Sequence, residues 1–284
     1  MSWIIYACGS IIMFTGLYLV QRTVAVDSKN PRATAVIFNA TAVVLALLVF
    51  IFSGAFKNFS VDTSPKALGF IALAVFTYGL FERGRFMATK LLDASTYAIV
   101  GNISVLVAYI CAYFLYSEPL SFSKLIGASL ILVSLFVVSF DKKIRRTSIF
   151  GLLIAIAVCI SVGIAWSLDK MGTKLTNPET YSIIVWTAPF IFVAFPLLPL
   201  KTLKIEVKKS FSRIFIVAGL NVAGYLLQLN AFQRGDANVI IPFLQLSSFL
   251  TVILGILFLN EKQGIKRKIF AVILAIIGVF FLVQ

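Results

Sequence analysis

Apolar residues in this chain come in long continuous stretches, interrupted at near-regular intervals by polar turn pairs such as Asn30-Pro31, Ser64-Pro65, Glu118-Pro119, Asn177-Pro178 and Gly235-Asp236. The stretches do not alternate apolar with polar, so they read as helices rather than as half-buried strands. About 20 apolar residues carry a helix across the hydrocarbon of a bilayer, and only helices or closed barrels satisfy the backbone there. Ten segments qualify, at about 3–23, 33–56, 67–90, 94–116, 122–140, 149–170, 179–200, 212–233, 237–259 and 265–283. The connections are short, and none is long enough for a soluble domain. The fold class expected is an all-α integral membrane protein of ten transmembrane helices.

The pattern also repeats. Moved forward by 143 residues, the stretch from Asp93 to Phe140 lies without a gap on Asp236 to Val283, with Asp93 on Asp236, Ala94 on Ala237, Ser104 on Ser247, Glu118 on Glu261, Ile126 on Ile269 and Ala128 on Ala271. At an offset of 147, Asn30-Pro31 falls on Asn177-Pro178, Gly16 on Gly163 and Arg22 on Asp169. A period this long indicates a duplicated half-protein. Residues 1–140 form the first five-helix repeat, 141–147 a basic connecting loop and 148–284 the second. Five helices per half is an odd number, so the second half enters from the opposite side. The repeat is therefore expected to be inverted five-plus-five, with a binding site between the halves.

Composition agrees: 60% of the residues are hydrophobic and 13% charged, where soluble proteins average about half and a quarter. The net charge of +14 sits in short clusters between the apolar runs, which suits anionic headgroups rather than nucleic acid. Of 25 Lys and Arg, 17 fall after odd-numbered helices and six on the other face, the remainder being Arg83 and Arg85. The positive-inside rule then places both termini outside. With no histidine, no paired cysteines and no Gly-Lys-Ser/Thr run, no metal, nucleotide or other cofactor is expected. Cys8, Cys111 and Cys159 read as buried thiols. The first 26 residues lack the layout of a cleaved signal peptide, so the run from Trp3 is expected to be a retained helix.

Each half carries an Asp-Ala start, an apolar helix, a Glu-bearing tight turn and a small-residue helix. These read Asp93-Ala94-Ser95 with Tyr116-Ser117-Glu118-Pro119, and Asp236-Ala237-Asn238 with Leu259-Asn260-Glu261-Lys262. Along its whole length the chain resembles the drug/metabolite transporter superfamily, in particular its EamA-type branch. It departs from that pattern in having a fourth-helix proline, Pro242, only in the second half. Gly127 also has Phe270 rather than Gly at the matching position, and the first-helix Trp-Gly is not clean. The resemblance implies a non-enzymatic transporter in the cytoplasmic membrane and, against the charge count, cytoplasmic termini.

Charges inside the membrane are costly and mark function by default. The third helix holds Glu82, Arg83 and Arg85, where the second half has Tyr225, Leu226 and Gln228. Glu82 and Arg85 share a helix face and Arg83 does not. One reading makes Glu82 and Arg85 a structural ion pair, with Arg83 reaching to the interface. The other has Arg85 binding a substrate carboxylate or phosphate through its planar fork, with Glu82 orienting it, meeting an amine or taking up a coupling proton. Tyr78, Tyr97, Asn39, Asn102, Trp166, Trp186, Asn221, Tyr225, Gln228, Asn230 and Gln245 complete the candidate polar path. Arg22 and Asp169 read as headgroup-level anchors, with a gate pair as the alternative. Asp93 and Asp236 read as helix N-caps. Glu118 and Glu261 read as braces of their turns, and the fifth and tenth helices as scaffold or oligomer contact.

The expected function is secondary transport of a small polar metabolite by alternating access, amino acids first, with export ahead of import by resemblance. The alternatives are an organic-cation or drug exporter and a lipid flippase. Expected partners are the substrate, a coupling proton and membrane lipids, in a monomer or homodimer.

Overall fold

A computed structural model describes residues 3–116, 122–139, 149–235, 237–244, 246–259 and 264–283. Among them there is no strand. In chain order the helices are α1 (Trp3–Asp27), α2 (Pro31–Phe52), α3 (Pro65–Leu91), α4 (Ala94–Val100), α5 (Asn102–Tyr116), α6 (Phe122–Ser139), α7 (Ile149–Leu175), α8 (Pro178–Ala194), α9 (Leu200–Arg234), α10 (Ala237–Leu244), α11 (Leu246–Phe258) and α12 (Ile265–Val283). Six stretches are long and apolar enough to cross a membrane: α1, α2, α3, Thr96–Leu115, α7 and α9; shorter apolar helices accompany them. Large apolar side chains stand outward along them, Ile12, Phe114 and Ile191 among others, as a lipid-facing surface requires.

The turn pairs start helices as the sequence predicts. Asn30 and Asn177 occupy equivalent caps: their side chains accept from the N–H of Ala33 at 3.1 Å and of Thr180 at 2.7 Å. A proline follows each at the first helical position, where its missing N–H costs nothing.

Four differences from the expected elements have local causes. The fourth segment breaks at Gly101 into α4 and α5. Helix α8 stops at Ala194, with Phe195 extended ahead of Pro196, because a residue before proline is pushed out of the α region. Helix α7 continues to Leu175, which draws Asp169 into the interior. Helix α9 begins at Leu200, twelve residues before the apolar run at 212, since Glu206, Ser210, Ile214 and Val217 recur on one buried face while the lysines between them face outward. Such an amphipathic turn hides from a hydropathy average.

Buried Glu206 shows what that extension does. Its carboxylate accepts from the backbone N–H groups of Lys29 at 2.7 Å and Asn30 at 2.8 Å, supplying negative charge at the N-terminus of α2. Asp93 stands at the cap position of α4 but makes no cap bond. Its carboxylate meets Lys268 Nζ at 3.2 Å and Arg22 at 3.7 Å, because two cations outbid one backbone N–H. Asp236, Glu118, Glu261, Gln245 and the loop 141–147 lie outside the described residues.

Packing between the halves is symmetric. The most extensive contacts are α1 with α9 and α3 with α7, followed by α6 with α12. Exchanging the halves turns the first pair into the second and leaves the third unchanged. The weaker pairs α2–α9 with α3–α8, and α5–α7 with α1–α11, also exchange. The fifth and tenth segments therefore pack on each other, with Ala271 fully buried at that seam. Close approach elsewhere depends on missing side chains. A Cβ on Gly163 of α7 would stand 2.5 Å from the carbonyl oxygen of Ser104 on α5.

Gly163→Ala is therefore expected to destabilise the protein by about 1–3 kcal/mol. Gly69→Ala and Gly219→Ala, where nothing lies within 4 Å of the added carbon, should lose nothing. Thermal unfolding in detergent compares the three; equal midpoints would mean that α5 and α7 are not in this contact.

Candidate functional site

Helices α1, α3, α7, α8 and α9 converge on a central cavity of about 520 Å³. Its wall holds Phe14, Leu17 and Tyr18 from α1, Tyr78, Phe81, Glu82 and Arg85 from α3, Val162 and Trp166 from α7, Val185 and Trp186 from α8, and Asn221 and Tyr225 from α9. Tyr78, Glu82 and Arg85 reach it together because they recur at i, i+4 and i+7 on one face of α3. Tyr225 stands edge-on to Tyr78 at 5.9 Å and to Trp186 at 6.2 Å, and Phe38 backs Trp186 at 6.1 Å. Mutual edge-to-face packing fixes these rings.

Toward one end lies a cation cluster. Arg85 donates through Nη1 to Glu82 at 2.7 Å, and through Nε and Nη2 to Gln21 Oε1 at 3.1 and 2.5 Å. Gln21 in turn donates to Thr89 Oγ1 at 2.6 Å, and Asn39 to the second oxygen of Glu82 at 3.3 Å. The guanidinium carbon sits 4.8, 5.1 and 5.7 Å from the ring centres of Phe38, Phe81 and Phe86. Three aromatic faces thus replace part of the lost hydration. Every guanidinium nitrogen has a partner, so Arg85 and Glu82 form the ion pair of the first reading, while both still line the cavity.

Toward the other end lies an acid. Asp169, fully buried on α7, accepts from Tyr78 at 3.0 and 2.8 Å, from Tyr225 at 2.9 Å and from Gln228 at 3.4 Å. Tyr78 comes from the first half and Tyr225 and Gln228 from the second, so one carboxylate joins the two. Tyr78 and Arg85 are seven residues apart on α3, about 10 Å along the axis at 1.5 Å per residue.

Two smaller cavities flank the central one, and they are counterparts. One, of about 440 Å³, is lined by Arg85, Ala98, Gly101, Ser104 and Tyr97. The other, of about 300 Å³, is lined by Gln228, Ile241, Leu244 and Ser247. Adding 143 to Arg85, Ala98, Gly101 and Ser104 gives Gln228, Ile241, Leu244 and Ser247 in turn. The break at Gly101 therefore lines one chamber and the equivalent stretch of the second half lines the other, and Tyr18 and Trp166 border all three cavities.

Of the residues expected from sequence, Tyr78, Glu82, Arg85, Trp166, Trp186, Asn221 and Tyr225 face the central cavity, Tyr97 one chamber and Gln228 the other. Asn39 stands behind Glu82. Asn102 does not join them: its amide donates to Ile99 O at 2.9 Å and closes the α4 break. Asn230 turns to its own helix and to Arg234. Arg22 ties α1 to the end of α3, donating to the carbonyls of Thr89 and Lys90 at 2.5 and 3.0 Å, and Asp169 is buried instead of standing at a headgroup-level end. The sequence reading ended its helix at 170, and only the apolar Met171-Gly172 and Leu175 beyond it signal that the acid lies inside. Gln21 and Tyr18 were also missed, standing singly in an apolar run. Gly172 belongs with Asp169, for a Cβ there would meet the Tyr181 ring at 2.1 Å.

Glu82→Gln leaves Arg85 charged in the interior without its acid, which is expected to cost about 3–5 kcal/mol. Glu82→Gln with Arg85→Gln together should recover much of that loss. Unfolding midpoints of the two single variants and the double variant form the cycle, and strictly additive losses would remove the ion pair from the argument.

Comparison with known proteins identifies the kind of molecule. The EamA-like transporter family matches residues 1–140 and again residues 149–284. An uncharacterized protein of Methanocaldococcus jannaschii is 29% identical over 132 residues, which are 46% of this chain and 95% of that one; it is about as long as one half. A crystal structure aligns with 98% of this chain and 94% of its own at a TM-score of 0.66 and 14% identity, a likeness of fold alone. The chain belongs to the EamA-like transporter family and is a multi-pass membrane transporter of the drug/metabolite type.

Proposed function

We propose that this protein is a secondary transporter of a small amphoteric metabolite, an amino acid with an apolar side chain first, working by alternating access in the cytoplasmic membrane. The observation that carries the reading is the pair of repeat-related chambers on either side of the central cavity. In inverted-repeat transporters substrate sits at the interface of the repeats, against discontinuous helices. Counting α4 with α5, and α10 with α11, as one span each would make ten spans in two five-helix halves. A rearrangement that opens one chamber closes its counterpart.

The lining supports the substrate class. Trp186 Nε1 is buried without a hydrogen-bond partner, and an unmet buried donor costs about 1–3 kcal/mol. A carboxylate in the cavity satisfies it, with the Asn221 amide beside it. The faces of Tyr78, Tyr225 and Trp186 and the Glu82 carboxylate receive an ammonium. Phe14, Leu17, Phe81, Val162 and Val185 receive an apolar side chain. Because Arg85 is already engaged by Glu82 and Gln21, it sets the local potential instead of clamping the substrate. One observation favours an organic cation as the second reading: Asp169 behind the tyrosines has no cationic partner among the described residues.

Thermal unfolding of the purified protein against amino acids, organic anions, quaternary amines and lipids tests the assignment, because a ligand that binds only the folded state raises the midpoint. Apolar L-amino acids are expected to stabilise the wild type. Trp186→Phe, which keeps a ring and removes the N–H, should weaken that binding about tenfold, equivalent to about 1.4 kcal/mol. Stabilisation by quaternary amines alone would replace this reading with the cation carrier. Stabilisation by lipids alone would replace it with a flippase.

A further inference from the structure

Three acids are buried among the described residues: Glu82, Asp169 and Glu206. Each has to be accounted for, since an ionised carboxylate removed from water is costly unless it is paired. Glu82 has Arg85. Glu206 has two backbone N–H groups at a helix start, away from the cavity. Asp169 has neither: it accepts from the phenols of Tyr78 and Tyr225 and from the amide of Gln228. The titratable groups facing it are Tyr78 from α3, Tyr225 from α9 and Tyr181 from α8. All three are phenols, neutral at ordinary pH. The charged Glu82–Arg85 pair lies further along α3 and is closed on itself.

We infer that Asp169 is the proton-carrying site of the transport cycle, read out to the substrate cavity through the hydroxyls of Tyr78 and Tyr225. This rests on the transporter reading above and names its coupling ion. As a carboxylate, Asp169 only accepts hydrogen bonds, so the hydroxyl hydrogens of both tyrosines point at it. Taking a proton from water on one side of the membrane forms an O–H bond on the carboxyl group. The group then donates as well as accepts, and one tyrosine oxygen must turn to receive it. Releasing that proton to water on the other side restores the first arrangement, with no other group oxidised or reduced.

Both tyrosines are walls of the central cavity, and a substrate acceptor there competes with Asp169 for their hydroxyls. Cavity occupancy and the proton on Asp169 are therefore linked, and linkage between two sites is reciprocal. The same contact joins the halves, because Tyr78 reaches across to α7. Protonation thus alters a bond that the rearrangement of the halves must break or keep. A metal cation suits this group poorly, since the tyrosine hydrogens are already aimed at the carboxylate.

Infrared difference spectroscopy of the purified protein between about pH 5 and pH 9, a window wide of the ordinary carboxyl range, tests the site with the proton itself as ligand. The carbonyl stretch of a protonated carboxylic acid is expected in the wild type and lost in Asp169→Asn. Its midpoint is expected to be displaced in Tyr78→Phe and in Tyr225→Phe, variants that keep the acid should Asp169→Asn fail to fold. A band that persists in Asp169→Asn and vanishes in Glu82→Gln would overturn the assignment. In proteoliposomes, flux of radiolabelled L-phenylalanine should rise several-fold under an imposed proton gradient and lose that response in Asp169→Asn. Phenylalanine flux indifferent to the gradient and to Asp169→Asn would sink the coupling. Loss of the band in Asp169→Asn without any phenylalanine flux would leave the proton site standing and remove the amino-acid reading instead.

Discussion

An ionised side chain at the centre of a bilayer costs at least about 2.5–3.5 kcal/mol on insertion scales, so each one kept there has to be met by donors or acceptors that the fold itself supplies. Much of this structure follows from that demand. Arg85 is met by Glu82 one turn below it, by Gln21 on a different helix and by three phenylalanine faces. Asp169 is met by hydroxyls from both halves. These partners come from α1, α2, α3 and α9, and α1 with α9 and α3 with α7 make the two most extensive inter-half contacts. Arg85 is satisfied within the first half, whereas meeting Asp169 and docking the halves are one physical event.

The same demand explains why the cavity is mostly apolar yet polar at its two ends. Little water reaches such an interior to replace a missing partner, so polar side chains are confined to places where several partners are within reach. Between them the wall is aromatic, and a ring offers a face to a cation or an apolar group without presenting a donor that must be met. Trp186 departs from this economy. Its N–H is buried with nothing to bond among the described residues, and a group left so requires a partner from outside the wall.

Much of this was legible in the sequence. The Asn-Pro pairs gave the repeat register because a cap and a fixed proline φ tie a helix start to particular residues. The spacing of Tyr78, Glu82 and Arg85 placed them on one face. What escaped was whatever depends on depth or on a partner distant in the chain. Asp169 was set at the headgroups because the apolar run appeared to end at it, whereas α7 continues six residues beyond it to Leu175. The lysine-rich start of α9 looked like loop, since its buried face is four residues wide and Glu206 among them serves the start of α2. The helix break at Gly101 left no mark in hydropathy, because the backbone turns there within an apolar environment.

A duplicated fold that kept its two halves chemically alike would place like charges at both counterpart positions. Two guanidiniums in chambers opening on one cavity, at a separation on the order of 10 Å and an effective dielectric near 20, would repel by about 1.5–2 kcal/mol, and each would need its own acid. Replacing one of them by Gln228 removes the repulsion. It also frees the second half to carry a carboxylate, because Gln228 can donate to Asp169 where the counterpart Arg85 holds Glu82. The cavity then has a closed ion pair at one end and a lone acid at the other. Such a cavity is electrostatically uneven from one end to the other even though the backbones that frame its ends correspond.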